Sequence, residues 1–124
     1  MRTVAQQAGD AAEARAAEYI QRLGWKVLGR QVRVARAELD IVAIDPGPPA
    51  ELVVVEVRWR ARRDFGLAEE TVDGRKRSRL HHAGFALRDR GRLPDETPLP
   101  TLPLRFDLVV LEPDARLRHH RHGA

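Results

Sequence analysis

Leu39-Asp40-Ile41-Val42-Ala43-Ile44-Asp45-Pro46-Gly47-Pro48-Pro49-Ala50-Glu51-Leu52-Val53-Val54-Val55-Glu56-Val57-Arg58-Trp59 is the stretch on which the fold turns. Its two flanks, residues 39–44 and 52–59, are aliphatic and β-branched runs of strand length. Between them stand three prolines and a glycine, which cannot continue a strand and so read as a hairpin loop. Each strand is interrupted by an acid, Asp40 in the first and Glu56 in the second. An ionised carboxylate in such surroundings costs several kcal/mol unless it is paired or bound to a cation. Two such misfits on neighbouring strands call for a common cause.

Register supplies one. In a hairpin symmetric about Pro48, residue 40 faces residue 56, and opposed side chains of an antiparallel pair have Cβ atoms about 4.5–5.5 Å apart. Two carboxylates so placed repel unless a cation lies between them or one takes up a proton. Oxygen ligands beside a polyanion suit Mg²⁺ or Mn²⁺. The two-residue period sends Arg58 to the face of Glu56 and Glu38 to that of Asp40. The competing reading is a structural ion pair of Asp40 or Glu56 with Arg58 or Arg105. Sequence leaves both open.

Outward from the hairpin, residues 7–23 read as a helix, with Ala12, Ala16, Ile20 and Leu23 recurring on one face and Gly24 as the stop. Residues 25–34 read as a further strand. A second helix is expected from about Asp73, whose carboxylate would cap it, to Arg90; it buries Leu80, Ala83, Gly84 and Leu87. Residues 94–103 hold four prolines and read as an irregular loop. Residues 106–111 are almost continuously apolar, as a central strand requires, and residues 116–120 can add a short strand. The order α-β-β-β-α-β predicts an α/β protein, one sheet flanked by helices, and 124 residues suit a single domain spanning 1–124.

No cysteine is present, so disulfides and thiolate metal sites are excluded. No apolar run reaches the roughly 20 residues of a membrane-spanning helix, and the polar first ten residues lack the apolar core of a secretory signal. Cytoplasm, without membrane association, is the expectation. Of 22 basic residues 20 are arginine, and they crowd two stretches: Arg58, Arg60, Arg62 and Arg63, then Arg75, Lys76, Arg77 and Arg79. Such patches suit a phosphate backbone, although an arginine-rich chain can also carry them as solvated faces.

Several short motifs in this order resemble the YraN-like family of small bacterial proteins, a branch of the PD-(D/E)xK nuclease superfamily similar to Holliday-junction resolvases. Ala12-Glu13 stands where that family has Gly-Glu, Ala37-Glu38-Leu39-Asp40 where it has Gly-Glu-Ile-Asp, and Val55-Glu56-Val57-Arg58 where it has Val-Glu-Val-Lys. Phe65-Gly66, Arg75-Lys76 with Leu80, and Arg105-Phe106-Asp107 also fit. The resemblance implies a restriction-endonuclease-like core with a mixed sheet. It places Glu13, Asp40 and Glu56 around one or two Mg²⁺ or Mn²⁺ ions and implies endonucleolytic cleavage of DNA, branched DNA included, in repair or recombination. Arg58 would be the catalytic cation, while Arg60, Arg62, Arg63, Arg75, Lys76 and Arg77 would hold nucleic acid. A resolvase cuts two strands and so implies a homodimer.

Arg58 departs from the motif lysine. Arginine is never deprotonated and cannot act as a general base, but it can neutralise developing charge. Lys76 could supply an ammonium from the second helix. Ala37 departs from a family glycine, which matters if that turn needs positive φ. Trp59 could stack on a base or pack under a helix. His119, His120 and His122 could bind a transition metal but read better as a solvated tail, and His81 and His82, being adjacent, point apart and receive no role. Three classes of function are compatible with these residues: a metal-dependent nuclease, a nucleic-acid-binding module with a degenerate motif, and an interaction domain whose acids merely pair with arginines.

Overall fold

A computed structural model of the chain describes residues 3–59, 74–114 and 116–124. The elements are α1 (Val4–Arg22), β1 (Lys26–Val34), β2 (Ala37–Asp45), β3 (Glu51–Trp59), α2 (Gly74–Arg90), β4 (Leu104–Leu111) and β5 (Leu117–His120). They form one five-stranded sheet in the order β1-β2-β3-β4-β5. The β3–β4 pair is parallel and the others antiparallel. This mixed α/β architecture, a central sheet with two helices, is compatible with a restriction-endonuclease-like fold. No helix among the described residues is long and apolar enough to cross a membrane.

The helix ends follow from local chemistry. α1 starts before the expected residue 7 because Thr3 and Gln6 form a reciprocal capping box, Gln6 N donating to Thr3 Oγ1 at 3.1 Å and Thr3 N to Gln6 Oε1 at 2.8 Å. It ends where Gly24 takes φ +90°, a conformation costly for residues with a Cβ. There Gly24 N donates to Gln21 O at 3.0 Å and Trp25 N to Ile20 O at 3.1 Å, which satisfies the last carbonyls. The expected Asp73 cap of α2 lies outside the described residues, as do Arg60, Arg62, Arg63 and Phe65-Gly66.

The sheet separates two cores. On one face α1 places Ala12, Ala16 and Ile20 against Ile41, Ala43, Val53, Val55 and Val109. On the other α2 places Leu80, Ala83 and Leu87 against Val42, Leu52, Val54, Phe106 and Leu108. β3 is thus covered on both sides, which is why residues 52–55 read as unbroken aliphatics. The hairpin register is the one symmetry about Pro48 predicts: Ile41 pairs with Val55 and Asp45 with Glu51.

The β1–β2 ribbon is distorted midway along its length. Val32 and Leu39 belong to the α2-side core, yet Ile41, two residues on, belongs to the α1-side core. In β1, Gln31 between Arg30 and Val32 takes φ 50°. The ribbon therefore rolls over between the Arg30–Ile41 and Val32–Leu39 pairs, with Asp40 at the crossing. The positive φ of the β1–β2 turn falls on Ala35, at 53°. Ala37 begins β2 instead, so its departure from glycine is harmless.

α2 lies close to the sheet because Gly84 has no side chain. A Cβ there would stand 2.5 Å from Phe106 Cε1 and 2.6 Å from Cζ. Gly84→Ala should therefore destabilise the protein by about 1–3 kcal/mol through overpacking, despite alanine's helix preference of up to ~1 kcal/mol. Thermal and urea denaturation check the sign.

Candidate metal and nucleic-acid site

The site forms where β2 and β3 part. Beyond the Ile41–Val55 pair, Val57 N donates to the Asp40 side chain, Oδ2, at 2.8 Å. Asp40 and Glu56 hydrogen-bond to each other through their carboxyl groups. Both are largely out of solvent, so the pair holds a proton more readily than a lone carboxyl does. Burial foremost, then the charge of Asp40, pushes Glu56 up to about 7, while Arg58 and Lys76 pull the other way. Asp40 is also raised, by burial first, against the stabilising Val57 amide and Glu56.

Arg58 follows Glu56 on the same face, its Nη2 3.4 Å from Glu56 Oε1. Its Nε and Nη2 are buried without a hydrogen-bond partner among the described residues. Such donors are costly to leave unmet, and they suit an incoming oxyanion. Glu56 and Arg58 line a cleft of about 720 Å³ together with Glu38 from β2 and Lys76, Arg77 and Arg79 from α2. Lys76 is exposed, yet its charge acts on Glu56. Arg75 does not line the cleft.

Glu13 reaches this region from the α1 face. It is buried, and Arg30 Nε donates to its Oε1 at 3.1 Å. Burial raises its pKa, with the Asp40 charge adding to the rise and Arg30 opposing it. The roll of β2 at Asp40 explains how an acid from α1 and one from the α2 face both act on the same aspartate. Arg30 was not foreseen from sequence. The register shift between Val27 and Gly29 and the turn at Gln31 remove the simple alternation that would have revealed it.

Among the described residues no group of three or more His, Asp or Glu side chains is gathered to hold a metal ion. The pair Asp40–Glu56 nevertheless has the donor chemistry of a hard divalent cation: buried oxygens whose mutual repulsion a cation relieves as a proton does. Glu13, committed to Arg30, adds negative field nearby.

The competing ion pair with Arg105 is not formed. Arg105, 2% exposed, lies on the α1 side and donates to Asp107 through Nε at 2.8 Å and Nη2 at 3.0 Å, and to Asp45 and Glu51 at 2.9 Å each. The expected solvated histidine tail holds for His122, which is exposed, and is corrected for His119. His119 is buried in β5, its Nε2 2.8 Å from Asp107 Oδ2 and its Nδ1 2.9 Å from Tyr19 Oη. His81 stacks on Phe106 at 4.1 Å between ring centres, whereas His82 lines the cleft. Trp59 is 45% exposed rather than covered by a helix.

The proton held by the pair gives a stability signature. Glu56 binds its proton more tightly folded, at about 7, than at its ordinary 4.5. Its contribution is full below the lower value and is lost as pH rises through the upper one, with a slope of up to ~1.4 kcal/mol per pH unit. Glu56→Gln should flatten that part of the stability–pH curve, measured by urea denaturation in a chelating buffer.

Residues 12–111 match the family model described as Uncharacterised protein family UPF0102. The chain is 40% identical over 105 residues to a UPF0102 protein of Pseudomonas putida, covering 85% of this chain and 78% of that one. A UPF0102 protein of Symbiobacterium thermophilum is 40% identical over 112 residues, 89% of this chain and 87% of that one. One from Deinococcus radiodurans is 35% identical over 109 residues, 86% and 81% of the two chains.

Proposed function

The chain belongs to the UPF0102 family, and from its geometry we propose a divalent-metal-dependent endonuclease of PD-(D/E)xK type that cleaves phosphodiester bonds in DNA, branched DNA included. One observation carries the reading: two half-buried carboxyls, Asp40 and Glu56, adjoin each other beside Arg58, whose buried Nε and Nη2 have no hydrogen-bond partner among the described residues. Glu56 and Arg58, though not Asp40, line a cleft walled by Lys76, Arg77 and Arg79, a charge pattern suited to a phosphate backbone.

In this proposal Asp40 and Glu56 hold Mg²⁺ or Mn²⁺, with Glu13 reinforcing the negative field. When bound, such an ion supplies Lewis-acid polarisation of a phosphate oxygen and a more acidic water. The remaining work falls to the chain's own side chains. Asp40 is oriented by the Val57 amide, so it meets the cation without reorganisation. Arg58 neutralises negative charge growing on the phosphate, but a guanidinium abstracts no proton. Lys76 brings a second positive charge to the same cleft from α2. Arg75 and Arg77, with Arg60, Arg62 and Arg63 outside the described residues, would extend the phosphate track. Cutting paired strands would use two copies of the chain.

A specific observation favours a second reading. Arg58 stands 3.4 Å from Glu56 Oε1 and can neutralise that acid without any metal, leaving a binding module with little turnover.

Incubation with branched, single-stranded and duplex DNA plus Mn²⁺ separates the two. The nuclease reading expects cleavage that falls at least ~100-fold in Asp40→Asn and Glu56→Gln. Salt-sensitive binding without cleavage by the unaltered protein selects the second reading. Because the pair must shed its proton to bind a cation, Mn²⁺ affinity should rise about tenfold per pH unit up to about 7, the value of Glu56, and then level off. Titration calorimetry showing no such dependence would remove Mn²⁺ from the Asp40–Glu56 pair.

A further inference from the structure

Phe85 stands out on α2, 43% exposed in the middle of a helix whose buried positions are Leu80, Ala83, Gly84 and Leu87. A single exposed aromatic is ordinary; its surroundings are not. It closes a groove of about 400 Å³ that begins at Gly74 and runs along the flank of α2 past Arg77, Ser78 and His82. None of the lining residues is acidic. Arg77 and His82 also line the cleft that holds Glu56 and Arg58, so groove and cleft meet across one turn of helix.

The ring is backed by the sheet and 43% exposed. Phe85 rests against Phe106 at 5.8 Å between centroids, and Phe106 is in turn stacked on His81. The Arg88 guanidinium lies 5.1 Å over one face of the Phe85 ring, a planar cation already in the place a base would take, which an incoming base would have to displace. His82 Nδ1 donates to Ser78 O at 2.9 Å, so in the neutral imidazole Nε2 is an acceptor.

We propose that this groove is a stacking shelf for one unpaired nucleobase of a strand whose phosphates run into the cleft. The inference rests on the nucleic-acid reading above and deepens it, because a shelf beside the acid pair selects DNA with unpaired nucleotides next to the cut. A rigid aromatic face takes any base, while Arg77 and Arg88 meet the accompanying phosphate charge. A duplex keeps its bases stacked and gains nothing from the shelf.

The test is binding measured by fluorescence anisotropy in EDTA, which separates it from catalysis. The probes are a labelled oligothymidylate, an abasic oligomer of the same length and a blunt duplex. Phe85→Ala should weaken oligothymidylate binding about tenfold and leave the other two within about twofold. Phe85→Leu, which keeps an apolar contact with Phe106 but no aromatic face, should show the same selective loss, with unchanged circular dichroism. Equal losses on all three probes, or none, would overturn the shelf while leaving phosphate binding intact. Failure of the unaltered protein to bind any probe would overturn both readings. Sedimentation showing dimers that Phe85→Ala dissolves would make the groove a contact between copies instead, and the shelf would fall.

Discussion

Asp40 and Glu56 meet just beyond the last β2–β3 pair, Ile41 with Val55, and two carboxylates so close repel unless something relieves them. The loop of residues 45–50 fixes which residue of β2 opposes which of β3, and the core on both faces of β3 forbids a slip, since a one-residue shift would send Val53 and Val55 to the wrong helix. The carboxyls therefore meet in a place with little water. A retained proton is the solution when nothing else is offered. That arrangement costs stability as pH rises, and a fold kept only for its own sake would do better with two apolar residues there.

The α1 side of the same sheet shows what a structural use of buried charge looks like. Asp107 is completely buried, and burial alone would raise its pKa. Hydrogen bonds from His119, Arg105 and the His122 amide outweigh that and hold it below the usual range. Asp45 is lowered in the same way: burial works against it, while Gly47 N and Arg105 prevail. Every acid in that network has its donors. The contrast with the raised Glu13, Asp40 and Glu56 lies within one sheet of one chain, so it reflects local partners and not a general shortage of cations.

How much of this was legible depended on whether the alternation of strand residues survived. β2 and β3 pair regularly from Asp45–Glu51 to Ile41–Val55, a register that could be read from the loop's centre alone; the ladder ends one residue short of Asp40 and Glu56. Arg105 and Asp107, two apart on one strand, share a face by the same rule. Alternation fails at Gln31 and Asp40, where the ribbon rolls, and there Arg30 as the partner of Glu13 was out of reach. His119 was hidden for another reason: its place opposite Val109 exists only once β5 has paired with β4. The start of α1 was written in Thr3 and Gln6, a capping signature that apolar periodicity does not register. Ala35 was a matter of turn position, since the strained residue sits two before the one that a glycine in the family pattern would suggest.

α2 joins these threads. A parallel β3–β4 pair requires a crossover, and a helix is the compact way to make one. Its inner face is pinned to the sheet through Leu80, Ala83 and Leu87, at a height set by the absent side chain of Gly84. Once that face is docked, helical geometry leaves no freedom to the flank, and Lys76, Arg77 and Arg79 must stand over Glu56 and Arg58. Phe85 must stand two turns further on, behind Arg77. The distance from acid pair to aromatic ring is thus set by the same packing that stabilises the fold, so a strand bound across both would be held in a fixed relation to the carboxyls without any mobile part.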